Sequence, residues 1–162
     1  MAAQLAMVGG GRILACDIQE VAFVKARALL EAKLAGLMDV REREDGIWAL
    51  EPTEEGRQQG MRRAVEIEWV LRSHVEVLGE LDPQSVRLIA FNLGYLPGGD
   101  KSIVTMTDST LSATRLAMSA AVKFGCVSLT CYTGHEEGLK EEMELLKYVR
   151  QLRQEDWSCY VF

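Results

Sequence analysis

A chain of 162 residues is long enough for one buried core and short for two, and with 48% hydrophobic and 26% charged residues its composition is that of an ordinary globular protein. A net charge of −6 argues against a broadly basic nucleic-acid surface, and no apolar run approaches the roughly 20 residues that span a bilayer. Much of the negative excess is local: residues 39–56 hold seven acidic side chains against two basic ones, so a basic patch elsewhere is not excluded.

Residues 2–8 read as the tail of a helix stopped by Gly9, Gly10 and Gly11. The triple glycine is not read as a phosphate loop, because such a loop follows a strand and opens a helix. Arg12 to Cys16 is expected as a strand with Asp17 at its carboxyl end. An acid there can accept hydrogen bonds from both ribose hydroxyls of a nucleoside cofactor or cap the next helix, and the residues alone leave both open. Val21, Val24, Ala28 and Ala32 recur at helical spacing, which predicts a sheet-packing helix that stops near Gly36.

Asp39 to about Arg63 is rich in charge, Gly and Gln and poor in periodicity, with Trp48 its one aromatic residue. It is expected to be a flexible insertion at 39–63 that contributes little to folding. Val65 to Leu71 alternates as a strand closed by Ser73 and His74, and Asp82-Pro83 turns the chain into the next strand.

Val86 to Phe91 alternates and then turns fully apolar, as a strand does on entering a buried sheet, and F-N-L-G-Y-L-P-G-G-D-K-S follows from Phe91 to Ser102. Gly94, Pro97 and Gly98-Gly99 cannot continue a strand, so Asn92 and Tyr95 stand at a polar, sharply turning strand end, where open α/β sheets bind ligands. Asp108 is expected to cap a helix with an apolar stripe through Ala113, Leu116, Ala117, Ala120 and Phe124, ended by Gly125. A strand over Cys126 to Tyr132 leads into Thr133-Gly134-His135-Glu136-Glu137-Gly138, a second loop expected beside the first. The last helix carries Leu139, Met143, Leu146 and Val149, and Trp157 to Phe162 is expected to begin a strand. Cys16, Cys126, Cys131 and Cys159 lie in or beside apolar runs without C-x-x-C spacing and are read as reduced core thiols; with only two histidines, no metal site is expected.

In order along the chain, F-N-L-G-Y-L-P-G-G-D-K-S, D-S-T-L-S-A and Y-T-G-H-E-E-G resemble a family of S-adenosylmethionine-dependent methyltransferases known as rRNA methylases. Characterised members methylate the aminomethyl group of 5-aminomethyl-2-thiouridine at the tRNA wobble position. The resemblance runs from about Ile13 to Phe162. It implies an α/β, Rossmann-like class I methyltransferase sheet with helices on both faces in one domain over 1–162. It implies S-adenosyl-L-methionine as cofactor, held by Asp17, Gln19, Ser73, His74, Asn92 and Gly94. Asn92 and Tyr95 would serve catalysis, and Tyr95, Lys101, Ser102, Tyr132, Gly134 and His135 the substrate. The implied partner is tRNA, without DNA or membrane; a homodimer and a cytoplasmic or organellar location are left open.

The chain departs from the family at Phe124-Gly125-Cys126, where Pro-Gly-Gly is usual, and at Glu136, where Pro often follows the histidine. Members also begin with a strand and a D-A-T-x-G-N-G loop and finish with an antiparallel hairpin. The chain is therefore expected to lack the first strand, leaving a gap between the strands that start at Arg12 and Val86, and to lack the final hairpin strand. Two other readings follow: a catalytically inactive methyltransferase-like binding module, and a methyltransferase for a small-molecule amine.

Overall fold

The computed structural model describes residues 11–93, 107–134 and 136–162, so the expected helix tail at 2–8 lies outside the described residues. The chain divides into two compact units, one ending at Ser73 and the other beginning at His74. Each has α/β architecture with its own sheet. No helix among the described residues is long and apolar enough to cross a membrane.

In the first unit the elements are β1 (Gly11–Asp17), α1 (Glu20–Leu34), β2 (Met38–Glu42), β3 (Trp48–Pro52), α2 (Glu54–Gln58) and β4 (Val65–Leu71). The sheet is mixed, in the order β1-β4-β3-β2. β1 runs parallel to β4, with Gly11 opposite Val65 and Asp17 opposite Leu71, whereas β3 is antiparallel to both β4 and β2.

The expected flexible insertion at 39–63 is instead folded, supplying most of β2 and all of β3 and α2. The chain reverses at Arg43–Ile47, where Gly46 adopts φ 78° and its N–H bonds the Arg43 carbonyl at 2.9 Å. Alternation then turns Met38, Trp48 and Leu50 inward onto Leu30, Leu34, Val65 and Ile67, and Met61 closes the cluster. Thr53 starts α2: its hydroxyl accepts the Gly56 N–H at 3.0 Å and donates to the Gly36 carbonyl at 2.7 Å. Gly56 is required there, since a Cβ would stand 2.0 Å from the Leu37 carbonyl oxygen.

The face of α1 also differs from the expected one. Phe23, Leu30 and Leu34 are buried, whereas Val21, Val24, Ala28 and Ala32 are exposed. Arg27 completes the inner stripe, its guanidinium carbon 5.1 Å from the Trp48 ring centre and 5.2 Å from that of Trp69.

The second unit contains α3 (His74–Gly79), β5 (Val86–Asn92), α4 (Thr107–Ala120), β6 (Ala121–Thr130) and α5 (Glu136–Val149). β5 and β6 form a parallel pair, so β1 and β5 fall in different sheets. The core joins Leu78, Phe91, Leu93, Ala113, Ala117 and Leu145. α4 ends at Ala120, short of Gly125, and Phe124 is 95% exposed with φ 65°, outside the helical stripe assigned to it. The register slips between Val86 and Leu88, and Gly125 belongs to that irregularity, where a Cβ would lie 2.9 Å from the Val122 carbonyl oxygen.

α5 presents Gly138, Glu141 and Leu145 to the interior, while Leu139 and Met143, expected in the apolar stripe, are exposed. Residues 157–162 form no strand, and Tyr160, Val161 and Phe162 are exposed: an apolar run without a paired neighbour does not make a sheet.

Candidate functional site

β1 and β4 end together in the first unit, which brings Asp17 and the residues after Leu71 to one carboxyl edge. Asp17 Oδ1 accepts the Gln19 N–H at 2.8 Å, closing the turn into α1. Gln19 stands at the helix N-cap with extended backbone and makes no side-chain cap bond, so the local capping interaction comes from Asp17. One carboxylate oxygen is thus committed to the turn, and Oδ2 remains as the acceptor for anything beyond the edge. Ser73 is half-buried two residues past β4.

In the second unit, β5 and β6 also end together, with Asn92 opposite Thr130. The Leu93 N–H bonds the Thr130 carbonyl at 2.9 Å and the Leu93 side chain is buried, which anchors the backbone just past Asn92. Asn92 itself is exposed. Beyond β6, Tyr132 is 52% exposed and Gly134 faces open space, so a ring and an uncovered stretch of backbone follow the strand. His74 begins α3, and its ring meets Phe91 edge-on at 5.9 Å, a packing contact against the inner end of β5. Gly94, Tyr95, Lys101, Ser102 and His135 lie outside the described residues.

A buried polar group between α4 and α5 was not read from the sequence. Glu141 accepts a hydrogen bond from Thr110 Oγ1 at 2.5 Å, and Thr114 Oγ1 donates to the Thr110 carbonyl at 2.7 Å. The spacing of Thr107, Thr110 and Thr114 at i, i+3 and i+7 on one helical face was the signal available. Asp108, expected as the cap of α4, stands inside its first turn.

All four cysteines are free, but Cys126 and Cys159 are exposed rather than core thiols. Burial, and then the neighbouring Asp17, pushes the Cys16 thiol up from its ordinary value; burial, followed by Glu141 and Glu142, does the same to Cys131. A raised pKa leaves less thiolate at a given pH, and the thiolate is the form that alkylates. At pH 8, iodoacetamide should therefore label Cys126 and Cys159 well ahead of Cys16 and Cys131, as read by peptide mass spectrometry. Equal rates for all four would contradict the buried placement of Cys16 and Cys131.

Comparison with known proteins connects this architecture to one family. The family model described as "Putative rRNA methylase" matches residues 13–162. The chain is 46% identical over 88 residues to the Arabidopsis thaliana tRNA (mnm(5)s(2)U34)-methyltransferase, chloroplastic; the match covers 52% of this chain and 32% of that protein. Among solved structures, a putative rRNA-methylase from Clostridium thermocellum superposes with a TM-score of 0.63 at 26% identity, covering 95% of this chain and 68% of the other. A putative methyltransferase from Streptococcus mutans, solved in complex with SAH, superposes with a TM-score of 0.57 at 23% identity, covering 89% of this chain and 62% of that one, and supports the fold alone. The chain thus spans about a third of the length of its Arabidopsis relative, yet the family model matches nearly all of it, and the protein belongs to the putative rRNA methylase family.

Proposed function

We propose that this chain is an S-adenosylmethionine-dependent RNA methyltransferase that N-methylates the 5-aminomethyl group of the (2-thio)uridine at the tRNA wobble position. The observation that carries the reading is its 46% identity, over 88 residues, to an Arabidopsis protein named for that reaction. The residues present fit the cofactor in one respect that the structure allows to be tested: Asp17 ends β1 with one carboxylate oxygen left to accept a hydrogen bond from a ribose hydroxyl. Gln19 and Ser73 stand at the same edge of that unit, as the cofactor reading requires.

When bound, the cofactor supplies a methyl group on a cationic sulfur. Asn92 would accept an N–H of the neutral substrate amine and so orient its lone pair for methyl transfer. On transfer the nitrogen would accept the methyl that the sulfur releases, and its surplus proton would leave to water. Tyr95 and Tyr132 offer rings on which an unpaired base can stack, and Gly134, His135, Lys101 and Ser102 complete the proposed substrate side. In an acidic chain, selectivity rests on such base contacts more than on broad phosphate contacts.

The test is mass spectrometry of nucleosides from tRNA bearing 5-aminomethyl-2-thiouridine after incubation with the protein and S-adenosylmethionine. A gain of one methyl on that nucleoside is expected. Methylation of a different nucleoside or of a small amine would overturn the substrate, and cofactor binding without any methyl transfer would favour an inactive binding module.

Asp17 supplies a second test. Asp17→Asn keeps an oxygen for the Gln19 N–H, so the turn should survive, but it removes the charge from the ribose contact. Calorimetry should show S-adenosylmethionine affinity lowered roughly ten- to 150-fold, the equivalent of about 1.5–3 kcal/mol for a charge-assisted hydrogen bond, with the melting temperature nearly unchanged. Unaltered affinity would leave Asp17 as a turn residue only.

A further inference from the structure

Helix α1 is apolar on two opposite sides. Phe23, Leu30 and Leu34 turn inward to the core, and the side away from them carries Val21, Val24, Ala28, Leu29 and Ala32, with Val24 61% and Leu29 57% exposed. A surface helix ordinarily sets its charges on the side away from the core, so an apolar stripe there is a surface for another molecule to cover.

The charges of α1 lie along the borders of that stripe, and they select the occupant. At 3.6 residues per turn, Glu20 and Glu31 fall on one border and Lys25 and Lys33 on the other, all four exposed. A stripe with one acidic rim and one basic rim is complementary to itself. Two copies related by a two-fold axis parallel to their helices bring each acidic rim against the other's basic rim, whereas antiparallel helices would set like against like. In the parallel arrangement Val21, Val24 and Ala28 follow the a, d, a spacing of a helix pair, and Glu20 and Lys25 take the flanking g and e positions, which pair across such a seam. We propose that α1 is the contact face of a parallel, two-fold dimer of this chain. The stripe from Val21 to Ala32 is roughly 17 Å long and one helix wide, far short of the roughly 800 Å² per partner of a stable interface, so the dimer is weak and reversible. It rests on none of the catalytic assignments.

The test is sedimentation velocity of the whole chain over a hundredfold range of concentration reaching about 1 mM. The sedimentation coefficient of the wild type should climb from the monomer value toward that of a dimer. Val24→Glu should weaken self-association at least tenfold, and its melting temperature at low concentration should match the wild type because the side chain it replaces is exposed. Glu20→Lys and Lys25→Glu should each weaken association severalfold, since each makes both rims alike. An equimolar mixture of those two single variants should associate better than either alone, because each then meets the opposite charge on its partner. A wild type that stays monomeric throughout would give the stripe to some other occupant and overturn the proposal. Self-association that Val24→Glu leaves intact would place the contact on another surface, and a lowered melting temperature in that variant would show the stripe to be covered within the chain; either result sinks it. A mixture no better than its components would exclude the parallel pairing on which the choice of a second copy depends.

Discussion

Trp48→Ala is expected to lower the stability of the first unit by about 3–5 kcal/mol, the range for emptying a large aromatic site in a core. The indole is 5% exposed, packs with Leu30, Leu34, Leu50 and Ile67, meets Trp69 edge-on at 5.7 Å and carries the Arg27 guanidinium on one face. Truncation would therefore lose apolar burial and a cation–π contact together and leave Arg27 facing a cavity. Trp48→Phe, which keeps a ring in the site, should recover much of the loss. Removing residues 39–63 altogether should unfold the unit, because β4 would lose β3 as a partner along Val65–Ile67 and the core beneath would open to water. Urea unfolding followed by tryptophan fluorescence and circular dichroism measures all three. A Trp48→Ala midpoint within about 0.5 kcal/mol of the wild type, as at surface positions, would return the segment to the status of a dispensable insertion.

Residues 39–63 escaped a sequence reading because short strands announce themselves by alternation over only two or three inward positions. Met38 and Val40 face one way and Trp48, Leu50 and Pro52 another such set, each diluted by the acidic residues between them. The usable signal was Asp45-Gly46, a turn dipeptide flanked on both sides by alternating residues. Both long helices whose faces were misassigned share a different cause. Each sets a charged residue in the middle of its inner stripe: half-buried Arg27 against two indoles in α1, and buried Glu141 against Thr110 in α5. A charge breaks an apolar period, so the eye moves to the next available stripe, Val21 and Val24 or Leu139 and Met143, which the fold leaves exposed. What made these charges compatible with burial, an aromatic pair and a threonine hydroxyl, lies on other elements and is not local in sequence.

The strands that carry the candidate site were legible for the opposite reason. β4 occupies the expected residues, β1 extends them by one residue at each end and β5 by one at its end, because their apolar or alternating runs end abruptly at polar or turn-forming positions. Strand ends in a parallel pair lie at one edge by topology, so Asn92 beside Thr130, and Asp17 beside Leu71, follow once the strands are recognised. That the two readings of Asp17 do not exclude each other did not follow from the sequence. Sequence offered ribose contact and helix cap as alternatives, whereas a carboxylate has two oxygens and the turn uses one of them.

The remaining large effect concerns Asn92. Asn92→Ala is expected to reduce methyl transfer to the wobble nucleoside on the order of a hundredfold, the cost typical of misplacing a reacting atom by about an ångström, while leaving cofactor affinity within a factor of a few. The residue is exposed at the end of β5, so the substitution empties no core, and the backbone beyond it stays anchored by the Leu93 N–H bond to Thr130. The loss should therefore fall on kcat, since orientation of the amine lone pair matters most as the C–N bond forms. Asn92→Asp is the informative companion. It keeps an acceptor oxygen but adds a charge that favours the protonated, unreactive ammonium, so its activity should recover partly as pH is raised and more amine becomes neutral, whereas Asn92→Ala should stay low at every pH. Single-turnover assays on tRNA bearing 5-aminomethyl-2-thiouridine, run from pH 6.5 to pH 9 with melting temperatures in parallel, separate these outcomes. If Asn92→Ala turns over normally, or loses activity only as far as it loses cofactor binding, Asn92 does not orient the amine, and the acceptor must be sought elsewhere along the edge of the β5–β6 pair.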